Sequence, residues 1–373
     1  MKRTRALGPA MVAAAIALMA YGIACVWSAP AWSPDSKSIA FVTYTQEGKG
    51  DDKKVTSVLW AADVEAGRIE KLVEREGVLS GPAWSPDGKL LAAVLDAGDK
   101  KPKEIVTLDV GTRKLAVATT MDWRKYWPNE HDGDKDDGAS ITLLQRPFWT
   151  PDSKLIGYFT IDGVFLVVAG GGETLKVIDA RTPVLSPDGK RIAATAVDAK
   201  VEPERKYIVV TGLYGKTRRE FFKKGEERLA DDFYYPSWTG DSKMLLVTLA
   251  KPDRPAGAWA LDVSTGALRR VAPADRETAN PVASPVGPEV AYLVVTRKKE
   301  GDREIKEKAV WLRTRDGKHK ELVAPPGADV VLGGFSPDGK WLAYRVSAAG
   351  GDMQSFVHVV RIADGLDKTL EPK

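Results

Sequence analysis

Three aspartates at alternate positions, Asp132, Asp134 and Asp136, have the residue type and spacing of the start of a calcium-binding loop. Carboxylates spaced in this way can converge on one hard cation, which prefers oxygen ligands. The series departs from the usual calcium-loop pattern, because Asp137 stands in place of the sharp-turn glycine and Leu143 in place of the bidentate glutamate. Two interpretations therefore stay open: a Ca²⁺ site, and a flexible acidic loop that binds no cofactor.

Six further aspartates each lie two residues after a serine or threonine, within a repeated phrase. A row of carboxylates could form an active site, but turn chemistry explains them better. Proline presets φ for a tight turn, aspartate accepts a bond from its own backbone two residues on, and glycine closes the turn. We therefore predict structural turns at Asp35, Asp87, Asp152, Asp188, Asp241 and Asp338.

Groups that could serve in catalysis are sparse in the sequence. The three histidines, His131, His319 and His358, lie far apart, and no pair has the spacing of a metal site. There is no Gly-x-Ser-x-Gly elbow and no glycine-rich phosphate loop followed by a helix. An enzyme would need carboxylates gathered from distant segments. The sequence favours a protein that is not an enzyme and names no catalytic residue.

The phrase that carries the six aspartates occurs seven times, at spacings of 36 to 65 residues. Its usual form is an aromatic residue, Ser or Thr, Pro, Asp, Gly or Ser, and Lys. The sixth copy is degenerate, with Val286 where the others have aspartate. Repetition at this interval is typical of repeat architectures. The copies begin at Trp32, Trp84, Trp149, Leu185, Trp238, Ala283 and Phe335.

Each copy is followed by an alternating apolar strand, a loop, a second strand, a glycine turn and a short last strand, which together indicate a four-stranded meander. One such sheet has too little buried face to be stable alone, whereas sheets stacked radially cover each other. We predict an all-β, seven-bladed β-propeller of four-stranded antiparallel blades, with the motif aromatics packed between blades. The predicted blades lie near residues 27–75, 77–120, 141–179, 182–223, 233–273, 279–325 and 330–370.

The Ser-Pro-Asp-Gly-Lys turn followed by a Leu/Ile-Ala strand is similar to the repeat of TolB-type propellers, also called the WD40-like or PD40 repeat. The same repeat occurs in propellers fused to prolyl-oligopeptidase-like peptidases. The resemblance covers residues 27–373. TolB carries an α/β domain ahead of a six-bladed propeller, whereas the first motif here begins at Trp32 and seven copies follow. The resemblance implies a propeller-only envelope protein that presents a surface to partners.

Residues 1–26 have the pattern of an export signal, with cations at the start and an uncharged segment over residues 6–26. The run that ends at Cys25 resembles a lipobox, in which Cys25 would carry a lipid, although Gly22 stands where leucine is usual. A lipoprotein, a cleaved soluble protein and a retained membrane anchor stay open. Each alternative places residues 27–373 outside the cytoplasm, in the periplasm or cell envelope, with a membrane tether in two of them.

The remaining composition narrows the function classes. Cys25 is the only cysteine, so no intramolecular disulfide can form and the stability must come from packing. Without the three cations of the export signal the net charge falls from +4 to +1. A nearly neutral domain gives no electrostatic argument for binding nucleic acid, and we exclude that class of partner. Nothing in the sequence implies an obligate oligomer.

Loop length differs between the two ends of the predicted blades. The connections after the first and third strands are short, whereas those after the second strand and between blades are long and charged. Binding surfaces on rigid scaffolds are usually built from such loops, which favours recognition, although any single loop can be no more than a solvated hairpin tip. The long connections include residues 46–54, 96–103, 198–205, 251–255, 297–307 and 347–355.

One crossover, between blades two and three, combines Trp123, Tyr126 and Trp127 with Arg124. Aromatic side chains beside arginine are typical interface anchors. The same residues could instead fold back over the mouth of the channel. We therefore interpret the chain as a non-catalytic extracytoplasmic scaffold that binds an envelope protein through its long-loop face. The alternative is a propeller enzyme, a lyase or hydrolase, or a binder of a small ligand or glycan, with its site in the central channel.

Overall fold

The computed structural model describes residues 29–47, 54–98, 101–121, 146–160, 162–201, 205–225, 228–229, 236–251, 254–300, 303–325, 328–348 and 355–372. All regular elements in these ranges are β-strands. None of the described segments is a helix with the length and apolar character needed to cross a membrane.

The first four blades follow each other along the chain, and each begins with a strand that ends at a motif residue. Their strands are β1 (Ala31–Trp32), β2 (Ser38–Glu47), β3 (Lys54–Asp63) and β4 (Ile69–Glu76); β5 (Val78–Trp84), β6 (Leu90–Asp96), β7 (Lys103–Asp109) and β8 (Leu115–Met121); β9 (Phe148–Trp149), β10 (Leu155–Thr160), β11 (Gly163–Val168) and β12 (Thr174–Ile178); and β13 (Arg181–Leu185), β14 (Arg191–Asp198), β15 (Arg205–Gly212) and β16 (Arg218–Phe221).

Blades five to seven repeat the arrangement. Their strands are β17 (Arg228–Leu229), β18 (Ser237–Trp238), β19 (Met244–Lys251), β20 (Arg254–Asp262) and β21 (Leu268–Arg270); β22 (Glu277–Ala283), β23 (Val290–Glu300), β24 (Arg303–Arg313) and β25 (His319–Val323); and β26 (Ala328–Phe335), β27 (Trp341–Ala348), β28 (Ser355–Arg361) and β29 (Asp367–Leu370).

The described residues form seven antiparallel sheets, and within each sheet the strands follow the order of the chain. This confirms the predicted seven-bladed propeller of four-stranded meanders. Blade five differs in one respect, because both β17 and β18 pair with β19, so two short segments share the innermost position. The innermost strand of every blade is an edge of its sheet, and the edges of five blades line a central channel.

The motif builds the same turn in the six blades whose copy contains the aspartate. In the first copy the Ser33 hydroxyl donates to Asp35 Oδ1 over 2.6 Å, the Lys37 N–H donates to the same oxygen over 3.1 Å, and the Ser38 N–H donates to Ser33 Oγ over 2.9 Å. The hydroxyl bond holds the pKa of Asp35 below its usual value. The other five aspartate turns have the same hydroxyl bond, at 2.5–2.6 Å. Each carboxylate therefore accepts its hydrogen bonds within its own turn.

Hydrophobic packing between neighbouring blades holds the ring together. The buried apolar residues of the described chain separate into seven clusters, and each cluster joins two adjacent blades. The motif aromatics belong to these clusters, as predicted. Trp149 and Trp238 are almost fully buried, and each indole N–H donates to a carbonyl of the preceding blade, Ala83 at 3.0 Å and Val184 at 3.2 Å.

The ring closes without exchange of a strand between the first and last blades. Phe41 of blade one and Trp341 of blade seven lie in one buried cluster. The Trp32 indole N–H donates to the Gly334 carbonyl over 3.0 Å, and the Lys368 ammonium donates to a carbonyl of blade one over 2.8 Å. Packing and cross-blade hydrogen bonds therefore close the ring.

Two predicted loops are largely strand. Over residues 251–255, β19 ends at Lys251 and β20 starts at Arg254. The sequence indicated a connection over residues 297–307, but β23 continues to Glu300 and β24 starts at Arg303, with Glu300 opposite Arg303 in the ladder. Cross-strand charge pairs explain the extension, because Lys298 Nζ lies 2.6 Å from a Glu307 carboxylate oxygen. Lys298 and Glu307, two of the charges that favoured a solvated loop, are in fact partners on a paired hairpin.

Candidate functional site: the central channel

The central channel is a cavity of about 880 Å³ bounded by the first strands of blades three to seven. Its volume lies within the range of pockets that hold small organic ligands, roughly 300–1,000 Å³. Most of the lining residues lie on or beside β9, β13, β18, β22 and β26, with Lys308 added from β24 and Arg345 from β27, so the fold alone brings them together. They are separated by tens of residues in the sequence.

Prolines remove backbone hydrogen-bond donors from the strand edges that face the axis. In the first six blades a proline stands two residues before the first motif position, and in the seventh blade Gly333 takes that place. Proline has no N–H to offer, so it suits an edge strand that has no ladder partner on one side. Together the prolines make the channel edge poor in unpaired donors. They are Pro30, Pro82, Pro147, Pro183, Pro236 and Pro281.

Three innermost strands also carry a bulge at the residue before this proline. The register shifts there, and Gly81, Thr182 and Asn280 have positive φ, between 47° and 59°. A bulge bends a strand and redirects its side chains. At Asn280 the backbone N–H donates to Thr248 Oγ1 over 3.0 Å, and the residue lines the channel. An amide side chain is thereby placed on an otherwise apolar wall.

The blade-three wall of the channel contains an aromatic ring held by a glycine. Phe148 lies opposite Gly157 in the ladder, and a Cβ at position 157 would overlap the Phe148 ring. The glycine therefore lets the ring lie flat on its own sheet. The apolar part of the channel wall includes Phe148, Val184, Val282 and Val331.

Charged side chains gather where the channel opens on the long-loop face. Lys308 Nζ lies 2.6 Å from Asp329 Oδ1, and the lysine side chain is only 16% exposed. Arg345 is opposite Val331, and Asp329 is opposite Ser347, so Arg345 and Asp329 are diagonal neighbours on blade seven. Arg146 reaches the same cavity from blade three. Three cations and one carboxylate thus belong to the described lining.

The rim beyond this mouth is charged as well. On blade six, Arg297 makes a bidentate contact with Glu277, with nitrogen–oxygen distances of 2.7 and 2.8 Å. The hydrogen bonds from Arg297 hold the pKa of Glu277 below its usual value. The glutamate is therefore an ionised partner of Arg297 and has no character of a proton donor at neutral pH.

The two histidines in the described residues do not line the channel. His319 Nδ1 lies 2.8 Å from the Tyr292 hydroxyl on blade six, and His358 Nδ1 lies 3.2 Å from an Asp367 oxygen on blade seven. The first contact joins β25 to β23, and the second joins β28 to the outermost strand β29. Burial lowers the pKa of His319. Among the residues the structure describes, no group of three or more His, Cys, Asp or Glu side chains is arranged to hold a metal ion.

Most residues that the sequence singled out for binding fall outside the described ranges. The chain leaves the described part after Met121, at the long-loop end of β8, and re-enters it at Arg146 on the channel wall. The residues outside are the interface candidates Trp123, Arg124, Tyr126 and Trp127, the calcium candidates Asp132, Asp134 and Asp136, and the lipidation candidate Cys25.

The sequence reasoning missed the cations of the channel. Arg146, Lys308 and Arg345 stand at unrelated positions in their blades, so no spacing pattern marks them. One signal was available: Arg146 immediately precedes the proline of the innermost strand, a position that the repeat places beside the axis. The proline itself recurs in six blades and could have identified the channel edge before the structure was known.

Comparison with known proteins agrees with this architecture. No family model matches the chain. It is similar to the Tol-Pal system protein TolB of Francisella tularensis subsp. mediasiatica, with 26% identity over 90 residues, which are 24% of this chain and 19% of that protein. The chain thus matches about a fifth of the length of these curated relatives.

Solved propellers cover nearly the whole chain. The β-propeller domain of the Trilobed protease from Pyrococcus furiosus, described as having an open velcro topology, covers 94% of this chain and 97% of its own, with a TM-score of 0.60 and 14% identity. An oligogalacturonate lyase in complex with manganese covers 92% and 91%, with a TM-score of 0.59 and 12% identity. At such identities the likeness shows the fold alone. The chain is therefore a seven-bladed β-propeller whose repeats resemble those of TolB.

Proposed function

We propose that this protein is a non-catalytic, extracytoplasmic scaffold that binds another protein of the cell envelope through its long-loop face. The observation that carries the proposal is the difference between the two faces. One face is a ring of short turns whose carboxylates are satisfied internally. The opposite face has the hairpins between blade strands, the crossovers and the charged channel mouth. A rigid scaffold that carries its loops for binding on one face is the usual arrangement of a recognition module.

Among the described strands, those of two hairpins on the long-loop face are the longest. Strands β2 and β3 have ten residues each, and β23 and β24 have eleven, whereas β10 and β11 have six. At about 3.3 Å per residue, four or five extra residues raise a hairpin tip by roughly 15 Å. The two long hairpins belong to blades one and six and therefore flank blade seven. They supply walls between which a partner segment can lie.

The aromatic segment supplies the proposed anchors. Its ends, Met121 and Arg146, both lie at the long-loop end of their strands, so the segment starts and finishes at the proposed binding face. Trp123, Tyr126 and Trp127 beside Arg124 have the composition of an interface hot spot. The TolB relatives are named as components of a Tol-Pal system, and by this analogy we propose an envelope protein as the partner. Calcium at Asp132, Asp134 and Asp136 and a lipid at Cys25 are further expectations from the sequence.

Affinity capture from detergent-solubilised envelope tests the proposal. Three baits are compared: the propeller, a variant with Trp123, Tyr126 and Trp127 changed to alanine, and a control variant with Lys89→Gln on the short-turn face. We expect one partner to be retained by the first and third baits and lost by the second. Equal retention by all three would exclude the aromatic segment as the anchor. Retention lost only in the control would place binding on the opposite face.

A second function, binding of a small ligand in the channel, is favoured by one observation. The cavity of about 880 Å³ carries Arg146, Lys308, Arg345 and Asp329 on walls that are otherwise largely apolar. The structurally similar oligogalacturonate lyase is named for an anionic substrate, and on that analogy a channel site for an acidic ligand is the second candidate. It is compatible with a protein partner on the same face.

A further inference from the structure

We propose that a cavity between blades five and six, on the short-turn face, binds a small ligand in which a compact apolar group carries one carboxylate. The cavity has a volume of about 370 Å³ and shares no lining residue with the central channel. It opens on the face opposite the long loops, so this site is independent of both proposed functions. Arg269 and Arg313 hold the carboxylate, and side chains of the core between the two blades contact the apolar group.

Two motif copies depart from the repeat at this junction. Between blades three and four, the ring of Pro151 lies so close to Gly189 of the next turn that a Cβ there would overlap the ring. In blade five the position of this proline is taken by Gly240, and the facing position in blade six is Gly287. Both glycines line the cavity. The junction therefore lacks the ring that packs between the turns of blades three and four.

The lining of the cavity is mostly apolar. Leu246 and Val271 of blade five and Val290 of blade six line it, and all three belong to the buried cluster that joins these blades. Apolar ligand surface that is removed from water on such a wall favours binding in proportion to its area. The volume lies at the lower end of the roughly 300–1,000 Å³ that is usual for small-molecule pockets, so the ligand should be compact.

The two arginines face the cavity from opposite blades. In blade five, Arg269 lies opposite Ala260 in the ladder, and Ala260 lies opposite Leu246. In blade six, Arg313 lies opposite Val290. Directly opposed residues share one face of a sheet, and Ala260, Leu246 and Val290 all lie in the cluster between the two blades. Both arginines are therefore on the sheet faces that meet at this junction.

The two carboxylates of the lining have partners of their own. Asp241 accepts hydrogen bonds from the Thr239 hydroxyl and the Lys243 N–H inside its own turn, at 2.6 and 3.0 Å. Glu289 lies 3.1 Å from the guanidinium of Arg315. In the part of the chain that the structure describes, neither carboxylate forms an ion pair with an arginine of the cavity.

The arginines keep donors for a ligand. Among the described residues, the Arg313 side chain makes one hydrogen bond, a long contact of 3.4 Å to the Pro288 carbonyl, and the Arg269 side chain makes none. A guanidinium presents its N–H donors in a planar fork that matches a carboxylate in a bidentate manner. Arginines on both walls of an apolar cavity therefore suit one carboxylate attached to an apolar group.

Ligand-observed NMR titrations of the propeller with matched probes test the proposal. The probes are 3-phenylpropionate, its neutral amide 3-phenylpropionamide, and acetate, which has the charge without the apolar group. We expect 3-phenylpropionate to bind at least about tenfold more tightly than the other two, because charge-assisted hydrogen bonds and apolar burial both contribute. Equal affinity for the acid and the amide, or for 3-phenylpropionate and acetate, would overturn the proposal.

A fourth probe distinguishes two sources of this chemistry. N-acetylphenylalanine has the same ring and carboxylate, and adds the amide found at the end of a peptide chain. Tighter binding than that of 3-phenylpropionate would identify the C-terminus of a peptide as the ligand, whereas weaker binding would identify a free acid. Either result, with the preference for the acid over the amide, supports the site.

Substitutions locate the carboxylate position. Arg313→Gln and Arg269→Gln should each weaken 3-phenylpropionate binding at least about fivefold and change that of the amide by no more than about twofold. Lys216→Gln is the matched control, because it removes an exposed cation of the same face outside the cavity, and it should change neither affinity. Thermal melting first establishes that each variant folds. Arg269 is exposed, so its variant keeps the test decisive if Arg313→Gln is destabilised.

Two further results would overturn the proposal. If both arginine variants retain the full preference for the acid, the acid binds elsewhere on the protein. If 3-phenylpropionate does not bind at concentrations up to about 10 mM, the cavity does not hold this class of ligand.

Discussion

The backbone N–H of Asp338 in the last blade donates a 2.9 Å hydrogen bond to the hydroxyl of Ser36 in the first blade. The same bond joins Asp87 to Ser153 and Asp188 to Ser242. In each case the acceptor blade has serine in the fifth motif position, and the donor blade has glycine there. Whether the fifth motif position is glycine or serine therefore determines which neighbouring turns are joined by this hydrogen bond. The junction between the last and first blades has the same bond.

Loss of this bond should weaken the closed ring. We expect Ser36→Ala to lower the free energy of unfolding by about 0.5–1 kcal/mol, the net contribution of one such hydrogen bond. Alanine keeps the left-handed conformation of Ser36, whose φ is 62°, so the change isolates the hydroxyl. Urea denaturation measures the effect. Ser153→Ala is the matched control, and an effect there with none at Ser36 would show that the closing bond contributes nothing.

A glycine in the fifth blade is required by its neighbour. A Cβ at Gly240, which replaces the motif proline, would overlap the backbone carbonyl oxygen of Pro285 in the degenerate sixth copy. Backbone cannot yield as a side chain can, so Gly240→Ala should destabilise the protein by about 1–3 kcal/mol. Gly170→Ala, which meets open space, should be neutral or slightly stabilising. Equal melting temperatures for the two variants would refute this account of the close approach.

The motif tryptophans should contribute by packing more than by hydrogen bonding. Trp149 is 6% exposed, and its indole N–H donates to Ala83. Replacement by alanine should cost about 3–5 kcal/mol, as for other buried aromatics, whereas Trp149→Phe should cost clearly less because the ring volume is largely kept. Chemical denaturation compares the two. A similar loss in both would mean that the hydrogen bond dominates.

Turn aspartates should make the protein sensitive to acid. Hydrogen bonds from hydroxyl and backbone groups hold the pKa of Asp262 and Asp316 at about 2, and the Arg361 contact does the same for Asp364. These values lie below the unfolded value of about 3.9, so the ionised groups stabilise the folded state above about pH 4. That contribution is lost as the pH falls towards 2.

A melting series in buffers from pH 7 to pH 2 checks the acid sensitivity. The melting temperature should change little between pH 7 and pH 5 and fall below about pH 4. Asp316→Asn should melt lower than the wild type at pH 7, and the difference should shrink towards pH 2, where the carboxylate is protonated. A difference that stays constant with pH would show that the charge of Asp316 is not responsible.

The repeat made the fold predictable from the sequence. Each motif copy specifies its own turn from neighbouring residues, because the hydroxyl of Ser33, the ring of Pro34 and the carboxylate of Asp35 are sufficient to form it. The strands beside it follow from alternation. The hairpin over residues 297–307 was misjudged, since charged residues look solvated unless their cross-strand register is known, and Lys298 finds Glu307 only once the strands pair.

The channel was less predictable, for a physical reason. Arg146 and Lys308 become neighbours of one cavity only through closure of the ring, which is a long-range consequence of seven packed junctions. Local sequence gives no information on such contacts. A structure formed within a single segment, such as the turn of Asp35, can be predicted from the sequence. A site assembled from residues of blades three, six and seven cannot.

The central claim, recognition through the long-loop face, is tested most directly by photo-crosslinking in cells. A photoreactive amino acid is placed at Thr45 or Lys299, both exposed on the two long hairpins, and at Lys37 or Lys190, exposed on the short-turn face. We expect one protein to crosslink from Thr45 and Lys299 and not from the other two positions. Crosslinking of that protein from Lys37 or Lys190, with none from the hairpins, would contradict the claim.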